Sequence, residues 1–78
     1  MKRISKITGR VYDPYEIINL VNLDQVDFYV NEMGVPVQDI EFSKHRKSGK
    51  TLAVFMFNRS DTRIPFDRWC KRGDQNGS

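Results

Sequence analysis

Seventy-eight residues allow one compact domain with a single core and exclude a two-domain enzyme with a large interdomain cleft. At 38% hydrophobic and 29% charged the chain reads as globular rather than disordered or fibrous. Its longest apolar run, Leu52–Phe57, falls far short of the roughly 20 residues a membrane helix needs. Met1-Lys2-Arg3 is basic, but no apolar stretch follows it, so the start does not read as a secretory signal. The expectation is a cytoplasmic protein with no membrane partner. Cys70 is the only cysteine and His45 the only histidine, too few for an internal disulfide or a protein-built zinc site. No cofactor or metal is implied. A core this small without such staples favours self-association.

The net charge of +3 hides a segregation along the chain. Residues 1–10 hold Lys2, Arg3, Lys6 and Arg10 with no acid. Residues 11–43 hold seven acids (Asp13, Glu16, Asp24, Asp27, Glu32, Asp39, Glu41) with no Lys or Arg. Residues 44–78 carry a net +6. Folding can either bring these blocks together or hold them apart as an acidic and a basic face. A protein that coats nucleic acid rarely keeps so acidic a middle.

No repeat or low-complexity tract stands out. Residues 1–14 read as a basic extended arm or weak hairpin, interrupted by Gly9 and Pro14. Tyr15–Val21 alternates as a strand with one buried face. Asn22 then caps a helix, with Gln25 three residues on as in a capping box and Asp24 in the first turn. Val26, Tyr29, Val30 and Met33 form its apolar stripe. Gly34 and Pro36 end it. Val37–Phe42 alternates as an edge strand, Ser43–Lys50 is a basic loop, and Thr51–Phe57, apolar on both faces, is a central strand. Ser60 or Asp61 caps a final short helix with Phe66, Trp69 and Cys70 as its buried stripe and Gly73 as its stop. Residues 15–72 thus form one domain, and 73–78 read as a disordered tail.

The order strand, helix, strand, strand, helix predicts an α+β fold of the βαββα, split-βαβ type. The third strand fills the slot between the other two, and both helices pack on one face of the three-stranded sheet. Phe55 and Phe57 should face the helices with Ile18, Leu20, Ile40 and Phe42. Tyr15, Ile17, Leu52, Val54 and Met56 would then form an open apolar face, the usual mark of a partner surface.

Catalytic constellations are absent from this reading. Gly49-Lys50-Thr51 resembles the end of a phosphate loop, but Lys44 stands where that motif needs glycine and a strand follows where it needs a helix. His45 lies in a polar loop and Cys70 on a helix stripe, so they do not form a nucleophile and base. Asp24 with Asp27, and Asp39 with Glu41, share faces without an apolar pocket to raise a pKa, so solvated charge is expected. Neither enzymatic turnover nor a small-molecule substrate is predicted.

From Val35 to Thr62 the chain resembles an RNA-recognition motif. It has a strand, a basic loop closing Ser48-Gly49-Lys50, a strand ending Val54-Phe55-Met56-Phe57, and an acid-capped helix. Leu52 and Val54 stand where that family carries base-stacking rings, and no fourth strand is read after the last helix. Asn22–Trp69 also resembles a family of short uncharacterised proteins of Gram-positive bacteria, their phages and mobile elements. The likeness rests on Asn22, Gln25 and Tyr29, then Gly34, Pro36 and Ile40, then Val54-Phe55-Met56-Phe57, then Thr62, Phe66 and Trp69. It implies an accessory protein that acts by binding a host or nucleoprotein target.

The leading expectation is a non-enzymatic module that docks a protein, or a second copy of itself, through Tyr15, Leu52, Val54 and Met56. Asp24, Asp27, Asp39 and Glu41 would steer it toward a basic target, as an inhibitor of a host nucleoprotein would require. An alternative is nucleic-acid binding through Lys44, His45, Arg46, Lys47 and Lys50, assisted by Lys2, Arg3 and Lys6. A third reading is a self-assembling structural protein.

Overall fold

Asn22 turns the chain from strand to helix through its own side chain, whose Oδ1 accepts the amide protons of Asp24 and Gln25 at 3.0 and 3.3 Å. Two of the donors that a first helical turn leaves free are thereby satisfied. The computed structural model describes the backbone of residues 1–77 and the side chains of residues 1–72. Its elements are β1 (Arg3–Ile4), β2 (Val11–Tyr12), β3 (Ile17–Leu20), α1 (Leu23–Asp27), β4 (Asp39–Lys44), β5 (Thr51–Asn58) and α2 (Arg63–Gly77). The architecture is α+β. β5 lies between β3 and β4 and is antiparallel to both, while β1 and β2 form a separate two-stranded sheet.

Register decides the faces. Ile18 lies opposite Phe57, and Leu20 and Ile40 flank Phe55, so these side chains share the helix side of the sheet. There Tyr29 and Phe57, both 0% exposed, meet edge to face with centroids 5.6 Å apart. Val26, Phe28 and Val35 complete the buried cluster. Phe42 belongs to the same face, opposite Ala53, yet is 67% exposed. It therefore lies outside the predicted core, beyond the cover the helices give.

The first helix departs from its predicted stripe after Asp27. Residues Phe28–Glu32 form a π-helical turn, in which the Met33 amide donates to the Phe28 carbonyl at 3.0 Å. The wider turn changes the phase after Phe28 and leaves Val30 and Met33 half-buried, while Phe28 itself is buried against Trp69 of the last helix. The Gln25 side-chain amide does not return to the cap as a capping box would. It donates instead to the Tyr29 hydroxyl at 3.0 Å. Gly34, at φ +66°, then ends the helix as predicted.

The last helix is preceded by a 3₁₀ turn, Arg59–Thr62, with Asn58 at its N-cap position in place of Ser60 or Asp61. Buried Thr62 donates from Oγ1 to the Arg59 carbonyl at 2.9 Å. This tighter turn shifts the phase of α2, so that Thr62, Pro65 and Trp69 face inward, and Phe66 and Cys70 are exposed. Cys70 is therefore not the core residue predicted. Trp69 packs on Phe28 at 5.6 Å, and the Arg72 guanidinium lies over both rings, 5.4 and 5.8 Å from their centroids. α2 runs past Gly73, its predicted stop, to Gly77. The disordered tail expected over 73–78 lies outside the fully described residues.

Candidate functional site

The predicted partner face is largely covered. Asp39, opposite Met56 in the sheet, accepts the Ser5 hydroxyl on Oδ1 at 2.6 Å and the Tyr12 hydroxyl on Oδ2 at 2.7 Å. Thr8 donates to the Gln38 carbonyl at 2.7 Å. These bonds fasten the β1–β2 hairpin over this end of the sheet, and Met56 beneath it is 7% exposed. Val54 is half-buried, and only Leu52 is open, at 37%. Tyr15 is not on the face at all. Asp13 caps a 3₁₀ turn, Pro14–Glu16, which takes Tyr15 out of the strand and exposes it.

Asp39 is correspondingly not a solvated steering charge. The Ser5 hydroxyl, joined by Tyr12 and the Ile40 amide and opposed by burial, holds its carboxyl below the ordinary carboxylate range. The hydrogen bond to Asp39, then burial and the nearby carboxylate charge, push the Tyr12 phenol above its ordinary value. Asp39 thus adds stability that is complete above the unfolded carboxylate pKa of about 3.9 and is lost as pH falls through the lower folded value. Tyr12 adds stability complete below about pH 10 and lost as pH rises through its higher folded value. Hairpin docking should therefore be flat across neutral pH and weaken at both extremes. Asp39→Asn, which turns one acceptor into a donor facing a hydroxyl, should cost about 1–2 kcal/mol and remove the acid limb. Exchange of the Ser5 amide, which donates to the Arg10 carbonyl, measures the acid limb and phenolate absorbance of Tyr12 the alkaline one, and unchanged protection in the variant would refute the latch.

The remaining predicted acids are dispersed. Asp24 lies exposed in the first turn of α1, Asp27 accepts from the Asn31 side chain, and Glu41 is exposed opposite Val54. From the acidic middle block only Glu32 forms an ion pair among the described residues, to Arg72 at 3.4 Å. Beyond that pair, no ion pair joins the acidic block to the basic ones among the described residues.

The basic loop is the opposite case. From Glu41 through Leu52 every residue is exposed, and the β4–β5 ribbon closes at His45–Lys50. The His45 amide donates to the Lys50 carbonyl, and the Gly49 amide to the His45 carbonyl, each at 2.8 Å, with Gly49 at φ +69°. His45 Nδ1 accepts the amides of Lys47 and Ser48 at 3.2 and 3.4 Å. His45 therefore holds the turn together rather than reaching outward. Lys44, Arg46, Lys47 and Lys50 have no carboxylate at salt-bridge distance among the described residues. The amides of His45, Lys47, Ser48, Gly49 and Lys50 are occupied internally, so anion contact falls chiefly to these four side chains.

The same six-residue turn occurs once more, in the amino-terminal hairpin. Ser5 donates from its amide to the Arg10 carbonyl at 2.9 Å, and Gly9, at φ +74°, donates to the Ser5 carbonyl at 3.0 Å. Ser5 Oγ accepts the amides of Ile7 and Thr8 as His45 Nδ1 accepts its pair. Lys6 and Arg10 take the places of Arg46 and Lys50, so Arg10 joins the exposed bases that sequence reading proposed. The shared pattern, base, any residue, Ser or Thr, Gly, base, is the signal that could have found it. This hairpin docks at Asp39, the far end of β4 from the basic tip, about 17 Å along the strand. The contacts that anchor this hairpin are thus at the opposite end of β4 from the main cluster.

The ensemble is an α+β domain with a projecting basic ribbon. Comparison with protein-family models, curated proteins and solved structures finds no match to this chain.

Proposed function

We propose that the chain is a non-enzymatic module that binds the phosphate backbone of nucleic acid through the tip of its β4–β5 ribbon. The observation that carries this reading is the group of four exposed bases, Lys44, Arg46, Lys47 and Lys50, without an ion-pair partner among the described residues, on a turn held by its own hydrogen bonds. A two-stranded ribbon is narrow enough to enter a duplex major groove. Aliphatic Leu52 and Val54 offer no ring for base stacking, which supports contact through phosphate rather than sequence readout. Protein docking through the sheet face, the leading expectation from sequence, is weakened by the buried Met56 and the engaged Asp39. A role as an accessory protein of a phage or mobile element accords with the family resemblance.

Fluorescence anisotropy with labelled single- and double-stranded oligonucleotides tests the proposal. Binding should be clear at about 50 mM salt and collapse by about 200 mM. Absence of binding at the lower salt, or binding indifferent to salt, would overturn it.

A further inference from the structure

A second surface lies on the other side of the molecule, where β3 forms the outer edge of the sheet. No strand pairs with the free side of Ile17–Leu20 among the described residues. Beside it opens a groove of about 310 Å³, lined by Ile18, Leu20, Tyr29 and Phe66 and rimmed by Arg59 and Arg63. Its wall comes from β3, the first helix, the 3₁₀ turn and the start of α2, so it lies on the helix side of the sheet at the β3 edge. Phe66 is 54% exposed here, an aromatic ring on a helix with no covering element. Neither arginine has a carboxylate at salt-bridge distance among the described residues.

We infer that this edge receives an extended peptide with an apolar middle flanked by acidic residues, added as a further strand. Three features select that occupant. The open β3 edge presents unpaired backbone donors and acceptors, which an extended chain satisfies at a 4.7–4.9 Å strand spacing (about 5 Å). The groove alongside takes the apolar side chains on the helix side of the added strand, as pockets do in recognition by strand addition. Arg59 and Arg63 at the rim are complementary to carboxylates and repel a basic segment. The Gln25–Tyr29 hydrogen bond lies in the wall of the groove, and burial keeps the Tyr29 phenol above its ordinary pKa, so this part of the wall stays uncharged.

The experiment is an NMR titration of the full chain with an octapeptide of four valines flanked by two glutamates at each end, with the peptide carrying lysines in place of the glutamates as control. The acidic peptide should shift the amides of Ile17–Leu20 and slow their exchange, and Arg59→Glu with Arg63→Glu should weaken it about tenfold or more. Both arginines are exposed, so the variant should fold, and its unchanged spectrum away from the groove verifies this. No response at Ile17–Leu20, or equal binding of the lysine peptide, would overturn the inference. Shifts confined to residues 43–50 would overturn it as well, by assigning acidic peptides to the basic tip. The ribbon bases are untouched in this variant, so the nucleic-acid reading stands or falls separately.

Discussion

Phe57→Ala should remove about 3–5 kcal/mol of folding stability. The ring is 0% exposed, lies opposite Ile18, and contacts Tyr29 edge to face at 5.6 Å. Its loss removes the apolar transfer free energy and leaves a void between the sheet and the first helix. Both walls are aromatic or β-branched and repack poorly. A chain of this length has roughly 4–12 kcal/mol in total, so the loss is a large fraction of its stability. Phe42→Ala is the matched control. The same residue type on the same face of the sheet is 67% exposed, and its truncation should stay within about 0.5 kcal/mol. Urea denaturation of the two variants gives the comparison, and equal losses would show that the helices cover the ribbon.

Neutralising the ribbon tip should abolish the salt dependence of nucleic-acid binding. Four phosphate contacts give a log-log slope of about −3.6 on duplex DNA, so a fourfold rise in salt weakens the wild type on the order of a hundredfold. With Lys44→Gln, Arg46→Gln, Lys47→Gln and Lys50→Gln together, that slope should approach zero. Each single change should reduce it by about 1. All four side chains are exposed and none holds the turn, which rests on His45, Ser48 and Gly49, so the fold should be retained. Neutralising Lys2, Arg3 and Lys6 should change the slope less, because their hairpin docks at the other end of β4. A steep slope that survives the fourfold variant would move the interface to another surface.

Much of the fold is legible in local pattern. Asn22 and Gly34 bracket the first helix because a side-chain acceptor and a left-handed backbone are properties of single residues. The central place of β5 follows from its being apolar on both sides. The errors arise where phase is set by geometry that no local pattern records. The π turn after Asp27 leaves Val30 and Met33 half-buried, and the 3₁₀ turn before Arg63 rotates Phe66 and Cys70 outward. A stripe drawn at 3.6 residues per turn misses both, since either turn changes the angle carried by every later residue.

The site divides along the same line. The basic cluster is contiguous in sequence, and its turn is closed by neighbours only a few residues apart, so residue order alone determined where those charges gather. The identity of the strands, their pairing order and the helix face of the sheet were likewise determined by the alternation of Ile18, Leu20, Ile40, Phe55 and Phe57. The fate of the opposite face was decided only in three dimensions. Ser5 and Tyr12 reach Asp39 across 34 and 27 residues of chain. A carboxylate that reads as solvent-facing becomes the anchor that closes an apolar surface. Long-range hydrogen bonds of this kind leave no periodic trace, because they depend on where two distant segments come to rest. The groove beside β3 was decided in the same way, by helices and a strand edge that meet only once the sheet has formed.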